Sequence, residues 1–139
     1  MSRKSKRVAA MAAPHHGRTL DPHYLGYFHC FNKQLFYEAH EVLEHLWLRD
    51  RHGPNGSFYK GLIQLAGAFV HLQRNHTPPA AALLKLALAN FDKYPRIHEH
   101  LNLETTCQLA RKWLEELERT GFGVNPLTNQ TAPELKLQA

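Results

Sequence analysis

The sequence predicts an all-α protein, a compact bundle of about five helices arranged as stacked antiparallel hairpins. Three observations lead there. Apolar residues recur at helical spacing through most of the chain, and breaks rich in Gly, Pro and Asn separate the periodic stretches. Nowhere does polarity alternate with a period of two over the length of a strand. The 139 residues suit a single domain able to bury a core without disulfide or metal staples.

The first helix opens at Asp21-Pro22, an N-cap residue type followed by proline at the first helical position, and carries Tyr24, Tyr27, Phe28 and Phe31. Asn32-Lys33-Gln34 is read as a turn or as a continuation of the helix. From Leu35 to Trp47 an apolar stripe of Leu35, Phe36, Ala39, Val42, Leu43, Leu46 and Trp47 marks an amphipathic helix. The run 51–57, with Gly53, Pro54, Asn55 and Gly56, is a loop whose last residue, Ser57, can cap the next helix.

That helix, Phe58 to Arg74, is apolar over most of its circumference and is expected at the centre of the bundle. Asn75 to Pro79 breaks it, and Ala80 to Phe91 forms the next. After a connection from Tyr94-Pro95, Asn102 caps a last helix, Leu103 to Arg119, which Gly121 and Gly123 stop. The repeated layout of helix, break and Ala-led helix resembles two hairpins of the tetratricopeptide kind. Two units fall short of a solenoid, so a bundle of stacked hairpins is the reading.

The chain divides into a disordered basic arm (1–20), the helical domain (21–120) and a flexible C-terminal tail (121–139). The formal charge of +5 belongs to the arm: Arg3, Lys4, Lys6, Arg7 and Arg18 stand there without an acid, leaving 12 basic and 12 acidic residues in the body. A nucleic-acid role would therefore fall to the arm alone, since the body offers neither a basic face nor a base-reading motif. No apolar run approaches the roughly 18 residues a membrane span requires. The six-residue apolar patch Val8–Ala13 is short for a secretory signal, and Cys30 and Cys107 fit no metal or redox spacing, which points to the cytoplasm.

The densest chemistry lies at Glu38-Ala39-His40-Glu41-Val42-Leu43-Glu44-His45. His40 and Glu44 are four residues apart, stack on one helix face at the border of the apolar stripe, and can aim at one point. Glu41, His45 and Glu38 fall toward the polar side. His40-Glu41-x-x-Glu44 has the spacing of the His-Glu-x-x-His zinc motif with a carboxylate as second ligand. An imidazole and a carboxylate so placed can reach one cation, while the acid at the next position can work on a metal-bound water. On the central helix Gln64 and His71 stand two turns apart with Gly67 between them, and polar groups on a central helix need partners. His40 and Glu44 are candidates to face them. The connector pair His98 and His100 can add ligands only if that segment folds back.

The residues Phe31-Asn32, Phe36, Glu38-Ala39-His40-Glu41-x-x-Glu44-x-x-Trp47, then Phe58-Tyr59-x-Gly61-Leu62-Ile63-Gln64-Leu65-Ala66 and His71-Leu72, resemble the domain-of-unknown-function 309 family of small bacterial and archaeal helical proteins. The resemblance spans roughly Phe31 to Tyr94. It implies an all-helical fold and, through the family's frequent label of metal-dependent hydrolase, site roles for His40, Glu41, Glu44, Trp47, Gln64 and His71. Two positions depart from the family pattern: Gln34 stands where a turn glycine is usual, and the break at Asn75–Pro79 lacks its glycine.

Two functions follow as expectations. In the first, a metal-dependent hydrolase, His40 and Glu44 ligate a divalent ion such as zinc with His71 as a third ligand. Glu41 is then the general base, Gln64 orients substrate or water, and Trp47 walls the pocket. In the second, a non-catalytic helical binding or structural module, the same residues form a buried hydrogen-bond network. The partner is accordingly a small-molecule substrate or a protein, and so apolar a central helix allows a homodimer.

Overall fold

The computed structural model describes residues 3–13 and 20–138. Among them six helices occur: α1 (Arg3–Ala12), α2 (Pro22–Asn32), α3 (Phe36–Asp50), α4 (Gly56–Gln73), α5 (Thr77–Phe91) and α6 (Leu103–Arg119). A two-residue antiparallel hairpin, β1 (Ile97–His98) and β2 (Leu101–Asn102), joins α5 to α6. Helices α2 to α5 pack as successive hairpins, with α4 between α3 and α5. No helix among the described residues is long and apolar enough to cross a membrane.

The apolar circumference of α4 explains its place. Twelve of its 18 residues are buried, Phe58, Leu62, Leu65, Ala66, Ala68 and Phe69 completely. Phe69 meets Phe31, Phe36 and Trp113 with ring centroids 5.1–5.8 Å apart, so one side chain ties α2, α3 and α6 to α4. Gly61 lets α5 approach: a β-carbon there would stand 2.7 Å from the Phe91 ring. Tyr27, fully buried, donates its hydroxyl to the Leu62 carbonyl at 2.6 Å, and Tyr24 donates to the Glu99 carbonyl at 2.7 Å. Burial pushes both phenols well above their ordinary titration range.

The expected caps fall partly as read. Asp21 accepts from the His23 amide at 2.8 Å, and Asn102 accepts from the Thr105 amide at 3.1 Å. Ser57 does not cap α4, which starts earlier, at Gly56. The chain turns after Asn32, and α5 begins at Thr77 with both prolines inside its first turn.

Two expectations are corrected and one condition is answered. The arm is not disordered throughout: residues 3–12 form α1, with Val8 and Ala12 buried, while 14–19 lie outside the described residues. The C-terminal segment is packed rather than loose. Leu135 is buried, its amide and carbonyl bond both ends of the Asn32 side-chain amide at 2.7 and 2.8 Å, and Leu137 bridges Leu101. The connector does fold back, but His98 goes to Asn55, with its Nε2 2.6 Å from Asn55 Oδ1 and its ring against Phe58 and Tyr94.

The two turns without glycine share a backbone feature. Gln34 and Asn75 both have positive φ, 64° and 57°, at the α2–α3 and α4–α5 turns. A side chain in that region costs about 1–2 kcal/mol relative to glycine, less for Asn. Gln34→Gly is therefore expected to raise stability by about 0.5–1 kcal/mol in urea unfolding, despite losing the exposed bond from Gln34 Nε2 to the Asn129 carbonyl.

Candidate functional site

Helix α3 presents the His–Glu motif on two faces. His40 and Glu44 lie half-buried at the edge of the apolar stripe, with Nε2 3.3 Å from Oε2. Glu41, expected on the polar side, is instead buried at 2% exposure. The cover is α1, which the sequence places in the basic arm. Arg7 pairs with Glu41 Oε2, and Lys4 Nζ lies 2.6 Å from Glu44 Oε1. Lys4 and Arg7 are three residues apart, as are Glu41 and Glu44, and the pairing 4 to 44 and 7 to 41 sets the two helices antiparallel. Each cation thus reaches its carboxylate with one helical turn between the pairs.

Apolar contacts seat the same helix. Val8 and Ala12 are buried, and α1 comes so close to α2 that a β-carbon on Gly26 would stand 3.3 Å from the Met11 carbonyl oxygen. Cys30 Sγ lies 3.8 Å from Met11 Sδ, and burial pushes its thiol up to about 11, which leaves it protonated and inert. Burial would raise the Glu44 carboxyl, but the Lys4 hydrogen bond and the charges of Lys4, His40 and Lys60 outweigh it and hold it below its ordinary value. One oxygen of Glu41, Oε1, is buried without a hydrogen-bond partner.

A groove of about 320 Å³ runs along the α3–α4 seam beside this pairing. It brings together His40, Gln64 and His71, with Tyr37, Lys60 and Gly67, over Ile63, Val70 and Leu83. Gln64 Oε1 accepts from Asn90 Nδ2 at 2.8 Å, which fixes the amide. His71 has its Nδ1 buried without a partner, and burial, with the charges of His76 and Arg74, lowers its tendency to protonate. Trp47 does not line the groove; its ring carries Lys60 Nζ at 4.5 Å from the centroid.

The predicted ligand set does not assemble. Glu44 and Glu41 meet cations from α1, Glu44 does not line the groove that holds His71, and no group of three or more His, Cys, Asp or Glu among the described residues is placed to hold a metal ion. These residues therefore do not fit a three-ligand centre. Sequence reasoning overlooked Lys4 and Arg7, for which the only signal was their i,i+3 match to Glu41 and Glu44. It also overlooked Tyr37 and Asn90 as parts of the site, whereas Lys60 falls by helical spacing on the same strip of α4 as Gln64, Gly67 and His71.

Residues 24–83, from α2 into α5, match the family model described as Domain of unknown function (DUF309). The chain carries a DUF309 segment. The segment contains the whole His–Glu motif and the groove-lining residues, but neither α1 nor α6. The chain is also similar to the Uncharacterized protein YpuF of Bacillus subtilis (strain 168), 32% identical over 97 residues, 68% of this chain and 55% of that protein. It thus spans about half the length of that curated relative. No solved structure matches the chain.

Removing the Arg7 charge leaves the buried Glu41 without its counter-ion. Arg7→Met is expected to cost about 1–3 kcal/mol, with faster hydrogen exchange in α1 than in α4 and partial recovery on adding Glu41→Gln. The Lys4–Glu44 pair is more exposed and contributes within about 1 kcal/mol. Because the folded Glu44 carboxyl is held below the ordinary glutamate value of about 4.3, its contribution is complete above that value. It is lost as pH falls through the folded one. Amide resonances of α1 should report this release on acidification, before the rest of the bundle melts.

Proposed function

We propose that the protein is a non-catalytic helical binding module in which the His–Glu motif serves as a docking face for a basic helix, α1 in cis. The observation that carries this reading is the double ion pair of Arg7 with Glu41 and Lys4 with Glu44. A general base must be free to take a proton from water, whereas Glu41 is enclosed and matched to a guanidinium. The Gln64–Asn90 bond acts in the same sense across α4 and α5, as part of a polar network that sets how the helices register.

The metal-dependent hydrolase reading rests on a different observation, the closeness of His40 Nε2 and Glu44 Oε2 on one helix turn. Elemental analysis of protein purified without an affinity tag separates the two. A docking face predicts little bound metal and no rise in melting temperature on adding zinc. It also predicts that Glu41→Gln and Glu44→Gln loosen α1, seen as faster proteolysis of residues 3–12. Near-stoichiometric metal that is lost in both His40→Ala and Glu44→Ala would overturn it.

A further inference from the structure

The groove between α3 and α4 has a composition that the docking of α1 does not use. Its floor is apolar, formed by Ile63, Val70 and Leu83, and Gly67 leaves it open, since a β-carbon there would already meet Leu83 Cδ1 at 3.2 Å. Its polar lining consists of groups able to donate, and no carboxylate lines it. With Gln64 Oε1 occupied by Asn90, the part of that amide left to offer is its NH₂ group, two donors. Lys60, held over the Trp47 face, makes no ion pair among the described residues. His71 has Nδ1 buried, so Nε2 is the ring atom left to meet a ligand.

The surrounding charges act in the same direction. Arg74 lies over the Tyr37 ring at 5.9 Å, and the His76 ring is 6.1 Å from that of His71. The nearest acid in play, Glu44, is matched by Lys4 and His40. A cleft with an apolar floor, cationic groups toward its ends and unfilled donors between them is complementary to an acceptor-rich molecule with an apolar body.

We propose that the α3–α4 groove is a binding site for a small organic anion, a carboxylate or phosphate ester. Lys60 takes the charge, the Gln64 amide and His71 ring donate to its oxygens, and the Ile63–Val70–Leu83 floor receives the apolar part. This goes beyond the docking reading, because the groove donors are distinct from the carboxylates that hold α1, and anion binding is measured separately from metal content.

The test is a titration of the full-length protein with phenyl phosphate and with benzoate, followed by ¹H–¹⁵N spectra, with neutral benzamide as control. Saturable shifts are expected at the Gln64 side-chain amide and at the backbone of Gly67 and His71. Lys60→Met keeps the apolar stem over Trp47 and should weaken binding about tenfold, the scale of one charge-assisted bond. Lys85→Met, at an exposed lysine that pairs with Glu118 of α6 and does not line the groove, should leave anion binding unchanged. The proposal is overturned by the absence of saturable shifts at about 10 mM anion, where a millimolar site would be filled. Equal response to benzamide, or undiminished binding by Lys60→Met, would also overturn it.

Discussion

An 18-residue helix with side chains buried around most of its circumference has no stable position at the edge of a small domain. Placing α4 in the middle requires apolar neighbours on several sides, and α3 and α5 supply them in the order in which the chain reaches them. Phe69 anchors this arrangement by touching rings from three other helices. The seam between α3 and α4, and so the position of every polar residue along it, follows from that burial. His40, Gln64 and His71 meet because α3 and α4 are joined by a short loop and run side by side, not because they attract one another.

The His–Glu motif illustrates how one spacing serves two chemistries. Carboxylates and imidazoles a turn apart on a helix can converge on a metal ion, and carboxylates a turn apart can equally be matched by two cations spaced a turn apart on a second helix. The choice depends on whether such a helix is present. Here α1 brings Lys4 and Arg7 to Glu44 and Glu41 while burying Val8 and Ala12, so charge matching and apolar burial act together. A surface ion pair alone contributes little, but here the Glu41 carboxylate is buried while the Arg7 end of the pair stays half-exposed. There the carboxylate would otherwise lose its hydration without compensation.

The helices of the body were legible because each carries its own periodic stripe and its own punctuation. Asp21 and Asn102 mark starts through side-chain bonds made within their own turns. Helix α1 was not legible on those terms. It has ten residues, a short apolar patch and four cations without an acid, and isolated helices shorter than about 12–15 residues are marginal in water. Its stability comes from α2 and α3. The same holds for the C-terminal segment, whose order rests on Asn32 about a hundred residues earlier in the chain, and for Glu41, placed on the polar side by a helical projection that lacked the covering helix.

Fold class, the order of the five helices after α1, the central role of α4 and the pairing of His40 with Glu44 were determined by the sequence alone, because periodicity, caps and i,i+4 spacing are properties of neighbouring residues. The tertiary structure decided that Glu41 is buried under Arg7 and that Gln64 is fixed by Asn90. It likewise decided that Glu44 and His71 do not share a site. Those outcomes depend on which distant surfaces come into contact, and no local pattern encodes the contact of residue 7 with residue 41 or of residue 64 with residue 90.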